Sequence, residues 1–327
     1  MPDGLRPAGT IAPALSIVVP LYNKATDVGR AIRSLRGQSR SDWEAVVVDD
    51  GSTDGGGEVV EALADARVRL VRQPNAGVAA ARNTGIRLAS SRFIAFLDAD
   101  DEWDADMVAT LIGLRERFPA AQVFATGYRI RRAATPARDA RVRGLPPGFR
   151  SGILEDYFHV AARSDPPLWT SAVGVEREAL LAVDGFPVGV AAGEDLLTWA
   201  RLAARYTIAY ERAPHATFWE PAGTGTRPGR RPAEPDVVGE ALAMLDSPGS
   251  DHYLAHWHRM RGVWYLDLFE AGAARRELWR AVRLDPASAV LWGLLAVACL
   301  PPRTAHGLYV GYKTRQAHRN VARAARL

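Results

Sequence analysis

The 327 residues predict an α/β fold, a mostly parallel sheet flanked by helices, followed by a helical carboxyl-terminal extension. Three observations predict it. Short apolar runs rich in β-branched residues alternate with segments of helical period through the first two hundred residues, as in βαβ crossovers. Several of those runs end in polar or acidic residues, and ligands of such sheets bind beyond the carboxyl ends of the strands. From Pro235 onward the pattern is helical only.

Leu15 to Leu21 (L-S-I-V-V-P-L) reads as the first strand, and Val28, Ala31, Ile32 and Leu35 fall on one face of the helix after it. Ala45 to Val48 is the second strand, running into Asp49-Asp50-Gly51-Ser52-Thr53-Asp54, a turn-forming string ahead of a helix with Val59, Val60 and Leu63. Val68 to Val71 and Phe93 to Leu97 are further strands, with a helix from Val78 to Ala89 between them. Met107 to Leu114 forms another helix, and Gln122 to Arg131 alternates like a strand on a less buried part of the sheet. Trp169 to Val175 and Thr207 to Tyr210 read as strands, Glu176 to Val183 and Glu194 to Ala204 as helices, and Arg131 to Phe149 carries no clear pattern. Four units follow: a loose tail at 1–14, the α/β domain at 15–220, a Pro- and Gly-rich linker at 221–235 and a helical region at 236–327.

Composition narrows the class. Apolar residues make up 48% and charged residues 24%, which is ordinary for a globular chain and excludes a mostly disordered one. Forty-one Lys and Arg against 37 Asp and Glu is too even a balance to mark a nucleic-acid binder. The single cysteine, Cys299, has no internal partner and no companions for a zinc site, so a reducing, cytoplasmic compartment is expected. Residues Met1 to Ala14 lack the apolar core of a signal peptide, and no stretch reaches the roughly 20 apolar residues of a spanning helix.

The strand at Phe93 ends in Asp98, Asp100 and Asp101. On an extended chain Asp98 and Asp100 share a side, where their repulsion calls for a cation; oxygen ligands favour Mg²⁺ or Mn²⁺. A solvated turn is the rival reading for an isolated D-A-D-D. Three more features fall at the same sheet edge. Pro20, Leu21 and Tyr22 offer backbone and an aromatic face to a base, Asp49 or Asp50 can accept from a ring N–H or a ribose hydroxyl, and Arg82 brings a guanidinium. Together they describe a site for a nucleotide whose diphosphate is neutralised by metal and arginine. The dinucleotide fingerprint G-x-G-x-x-G and the phosphate loop G-x-x-x-x-G-K are both missing.

The strings I-V-V-P-L-Y-N-K, V-V-V-D-D-G-S-T-D, N-A-G-V-A-A-A-R-N-T-G, F-L-D-A-D-D and A-G-E-D-L-L-T-W resemble those of the inverting family-2 glycosyltransferases, over roughly Leu15 to Tyr210. The resemblance implies a GT-A fold, Mg²⁺ or Mn²⁺, a nucleotide-sugar donor with UDP as the default, and a glycan or lipid-linked acceptor in cell-surface polysaccharide or glycolipid assembly. By the same resemblance Pro20, Leu21, Tyr22 and Asp50 contact the nucleoside while Asp49 shapes the pocket. Arg82 approaches the phosphates, Asp98 with Ala99 beside it meets ribose or sugar, and Asp100 binds the metal with Asp98. Asp195 is the implied base, kept ionised by its helix dipole, with Glu194 on the acceptor side. Apart from the resemblance, Trp169, Trp199 and Trp219 are candidates to line an acceptor groove, since aromatic faces suit sugars and lipids. His215 is a further candidate near metal or phosphate, and Arg129 to Arg143 and Thr224 to Arg231 are candidates for closing over the donor. The rival of another class is a non-catalytic scaffold whose helical end binds a partner or membrane.

In that helical end Tyr253, Trp257, Met260, Trp264 and Leu268 form a stripe, and Ala274, Leu278, Ala281 and Val282 another. A single stretch from Tyr265 to Pro286 faintly resembles one tetratricopeptide hairpin. Ser288 to Leu300 is a thirteen-residue apolar helix, followed by a tail with six Lys or Arg and no acid. Residues 288–327 are thus a candidate for peripheral contact with the inner face of a membrane, against the alternative of a buried helix with a solvated tail.

Overall fold

The computed structural model describes residues 12–132, 135–220 and 231–311, and divides into two compact units, Met1–Ala222 and Gly223–Leu327. The proposed tail at 1–14 and the linker at 221–235 lie largely outside the described residues, as does the basic end from 312.

In chain order the first unit contains β1 (Leu15–Leu21), α1 (Val28–Arg36), β2 (Trp43–Asp49), α2 (Gly56–Ala62), β3 (Val68–Arg72), α3 (Val78–Leu88) and β4 (Phe93–Phe96). There follow β5 (Glu102–Trp103), α4 (Met107–Arg117), β6 (Val123–Arg132), β7 (Thr135–Asp139), β8 (Ser151–Ile153) and α5 (Tyr157–Arg163). A 3-10 turn at Thr170–Ala172 leads to β9 (Val173–Glu176), α6 (Arg177–Ala182), α7 (Glu194–Ala203) and β10 (Ile208–Glu220). The sheet runs in the order β3-β2-β1-β4-β9-β6-β10-β5, with β7 on β6 and β8 on β10. β1 is parallel to β2 and β4, and β2 to β3; β9 then runs antiparallel between β4 and β6, and β10 is parallel to β6.

Every residue of β1 is buried, because both faces of the sheet are covered. Ile17 and Val19 share a core with Val28, Ile32 and Leu35 of α1 and with Leu111 of α4, whereas Val46 and Val48 of β2 pack with Ala81 of α3 on the other face. α3 lies very close to β1. A Cβ on Gly85 would stand 2.2 Å from Val18 Cγ1, so glycine is required for that approach.

Several expectations change here. Val123 to Tyr128 are all buried, since β6 lies between β9 and β10 in mid-sheet. Trp169 to Val175 is not one strand: the 3-10 turn interrupts it before β9 begins. β10 runs thirteen residues, past the expected end at Tyr210, with register shifts at Pro214 that break its alternation. β7 occupies part of the stretch that carried no pattern.

The second unit holds α8 (Val237–Ala243), α9 (Ser250–Asp267), α10 (Ala271–Leu284) and α11 (Ala289–Ala298), with helical backbone again over 302–311. Tyr265, Leu266, Ala274, Leu278, Ala298 and Ala305 form its main core. Arg261, 2% exposed, lies between Asp236 and Glu277, at 3.2 and 3.4 Å. The apolar helix expected over thirteen residues is regular over ten.

Candidate active site

Helix α3 and strand β4 bring the two acidic motifs together through Arg82. This side chain is 4% exposed; its Nη2 donates to Asp98 Oδ1 at 2.9 Å and its Nη1 to Glu194 Oε1 at 3.2 Å. A single guanidinium therefore ties the end of β4 to the first turn of α7. Burial works against its charge, but the carboxylates of Asp98, Glu194 and Asp195 outweigh that and hold it firmly protonated. The neighbouring Asn83 fixes the approach to α7: its Nδ2 donates to Phe186 O at 2.7 Å and its Oδ1 accepts from Phe186 N at 2.9 Å.

The D-A-D-D string is a tight turn, not extended chain. Asp101 N donates to Asp98 O at 2.9 Å, so the argument from alternating sides does not hold: Asp98 turns to Arg82, Asp100 to Lys24 and Asp101 inward to Ser171. Asp98 and Asp100 both keep a quarter of their side-chain surface exposed. Lys24 Nζ lies 2.5 Å from Asp100 Oδ2, and Arg30 Nη2 donates to Asp100 O at 2.6 Å. Asp101 is 1% exposed and accepts from Ser171 Oγ at 2.5 Å, Trp169 Nε1 at 3.2 Å and Trp219 N at 3.2 Å. Burial first, then the charge of Asp98, pushes its carboxyl up to about 8. Asp101 is thus the buried anchor that joins the turn to the 3-10 turn and to the end of β10.

Asp195 stands in the first turn of α7, its Oδ1 accepting from Leu196 N at 2.8 Å and its Oδ2 from Thr170 Oγ1 at 3.4 Å. Desolvation, then the charge of Glu194, pushes it up to about 6, against the pull of Arg82. The helix dipole alone would favour a lower value; here the dry, acidic surroundings win, yet a carboxyl at about 6 is still mostly ionised at neutral pH.

At the other end of the edge, Pro20 and Leu21 are buried and Tyr22 is 49% exposed. Asp49 accepts from Ser52 N at 2.9 Å and lies 3.9 Å from Arg72 Nε. Asp50 is 2% exposed, and its oxygens are taken by Gln73 Nε2 at 2.7 Å, Ala76 N at 3.0 Å and Gly77 N at 2.8 Å. Both aspartates hold loops in shape, and Tyr22 is the expected nucleoside contact that faces solvent. Ala99 is buried within the acidic turn. Trp169 is half-buried, stacked on Tyr128 with centroids 5.3 Å apart. Trp199 belongs to the core, fully buried against Phe96 and Phe186, because its position on α7 turns inward; it lines no groove. His215 pairs with Asp106 at 2.8 Å, and its carbonyl accepts from Asp104 N, so it belongs to the β5–β10 pair rather than to the acidic turn.

The family model for glycosyl transferase family 2 matches residues 16–171. The chain carries a family-2 glycosyltransferase domain. Among its relatives the glycosyltransferase EpsJ of Bacillus subtilis is 45% identical over 91 residues, 27% of this chain and 26% of that protein. The UDP-Glc:alpha-D-GlcNAc-diphosphoundecaprenol beta-1,3-glucosyltransferase WfgD of Escherichia coli is 40% identical over 101 residues, 31% of this chain and 40% of that protein. The matches thus span well under two thirds of these relatives. The fold is that of the S. aureus TarS 1-349 complex with UDP-GlcNAc, at a TM-score of 0.66 and 17% identity, covering 92% of this chain and 91% of that one.

Within the family-2 domain the acidic turn fits a divalent cation. Its donors are oxygens alone, two of its carboxylates reach solvent, and Asp100 already draws the Lys24 ammonium to 2.5 Å. Two other groups of possible ligands occur among the described residues, Asp104 with Asp106 and His215, and Asp236 with His258 and Glu277. Each has a basic side chain against it, as the acidic turn has in Arg82 and Lys24: Arg129 donates to both oxygens of Asp104, and Arg261 lies between Asp236 and Glu277. Sequence reasoning missed Lys24, Arg30, Thr170 and Ser171. Lys24 closes the I-V-V-P-L-Y-N-K string and could have been marked from it, whereas Thr170 and Ser171 carry no local signal.

Proposed function

We propose that the family-2 domain transfers a sugar, with inversion, from a nucleoside-diphosphate sugar to an acceptor hydroxyl, with UDP as the first candidate nucleotide. The observation that carries this reading is the Arg82 bridge, which sets the acidic turn and Asp195 around one guanidinium. Asp195 takes the proton of the acceptor hydroxyl as its oxygen bonds to the anomeric carbon, and the carbon–oxygen bond to the diphosphate breaks with its electron pair leaving on the nucleotide. Thr170 and Leu196 N orient the base. Asp98 and Asp100 would hold Mg²⁺ or Mn²⁺, which when bound stabilises charge on the departing diphosphate. Arg82 acts mainly by holding Asp98 and Glu194 in place. Tyr22 offers its exposed ring to the base, with Pro20, Leu21, Asp49 and Asp50 shaping the pocket behind it. Trp169 and Glu194 lie toward the acceptor. The name of WfgD supports a lipid-diphosphate-linked glycan as acceptor and cell-surface polysaccharide or glycolipid assembly as the setting.

Thermal-shift measurements with UDP, dTDP and GDP, each with and without Mn²⁺, test the donor side. UDP with Mn²⁺ is expected to raise Tm most, and UDP alone to raise it less, as binding to the folded state stabilises it by mass action. No shift with any of the three nucleotides would remove the donor reading.

A further inference from the structure

The outward side of α11 is wrong for water. Buried Leu291 and Ala298 point into the second unit, while the exposed positions Ala289, Trp292, Gly293 and Ala296 recur at helical spacing and include no polar side chain. A solvated helix face is normally charged or polar. Trp292 is 47% exposed and meets Trp279 of α10, itself 50% exposed, edge to face at 6.3 Å. Around Trp279 the exposed face of α10 carries Arg276 and Arg283. Leu300 and Leu308 extend the apolar exposure beyond α11. Among the described residues from 286 to 311, the exposed Arg303 is the one Lys or Arg, and there is no Asp or Glu.

We infer that this surface of the second unit docks on an anionic lipid bilayer. The apolar stripe, two tryptophans where apolar and basic surface meet, and the exposed Arg276 and Arg283 of α10 are the combination that an interfacial helix presents to anionic headgroups. α11 lies in the plane of the surface. Ten residues reach about 15 Å, half of the roughly 30 Å hydrocarbon core, and no helix among the described residues is long and apolar enough to cross a membrane. A second copy of the chain is the poorer occupant, because a two-fold interface sets a patch against itself and would place Arg276 and Arg283 among their own like charges. The inference stands apart from the transfer reading, and its test reads binding alone.

Sedimentation of the full chain with vesicles of phosphatidylcholine, with and without phosphatidylglycerol, is the experiment. Binding is expected to the phosphatidylglycerol vesicles and to weaken as salt rises. Trp292→Glu is expected to lower that partition by roughly tenfold or more, the worth of one large apolar side chain, while Trp292→Phe keeps it. Circular dichroism confirms that both variants are folded. Equal partition of Trp292→Glu and the parent would overturn the inference, as would no binding to phosphatidylglycerol vesicles, or a dimer that Trp292→Glu separates in a chain that binds no vesicle.

Discussion

Asp195 is a carboxyl whose surroundings set its working range. Pushed up to about 6 by desolvation and by Glu194, and restrained by Arg82, it must lose its proton before it can accept one from the acceptor. The rate is therefore expected to rise with pH through about 6 and to level above it, with kcat/KM falling tenfold per unit on the acid side. Removing the restraining charge in Arg82→Gln should move that limb to higher pH, because an opposite charge nearby favours the ionised form. A pH–rate profile of both proteins checks this; a flat profile from pH 5 to 7 in the parent would reject Asp195 as the base. At this scale the sequence was informative about which residues matter and less so about how they act. The motif strings singled out Arg82, Asp50 and Asp195, but not that Arg82 would be buried between two carboxylates or that Asp50 would be used up by Gln73 and the backbone at 76 and 77. Those facts depend on neighbours from 16 to 112 positions away.

Among the elements, the seating of α3 on β1 governs the site, because Arg82 and Asn83 both stand on that helix. Gly85→Ala would drive a methyl to 2.2 Å from Val18 Cγ1. Overpacking of this kind costs about 1–3 kcal/mol, so Tm should fall by several degrees. Val18→Ala in the same chain should restore much of the loss, which calorimetry of the two single variants and the double variant would measure; additive losses would show that the contact is not the cause. The parallel strands and their crossover helices were legible because unbroken apolar runs and helical period are local signals. The full length of β10 is not legible locally because Glu211, Arg212, Pro214 and His215 interrupt its alternation; pairing with β6 across register shifts, and with β8 and β5, keeps it a strand. The 3-10 turn at Thr170–Ala172 was hidden inside an apolar run for the same reason: its shape answers to Asp101 and Trp103, whose carboxylate and indole bond Ser171.

For the whole molecule, the question is whether acids from separate parts of the chain act on one substrate. Asp98 at the end of β4 and the Glu194-Asp195 pair on α7 meet around Arg82, with Asp100 beside them in the turn held by Lys24, and the proposed reaction divides between them: the turn holds the cation and diphosphate, the helix supplies the base. The direct test is to compare the parent with Asp195→Asn for Mn²⁺-dependent turnover of a UDP-sugar, while calorimetry follows UDP affinity in the same two proteins. The prediction is a loss of kcat of about 10²–10⁴-fold, the usual worth of a general base, with UDP affinity unchanged. Turnover by Asp195→Asn at the parent rate, or loss of UDP binding in step with activity, would contradict it.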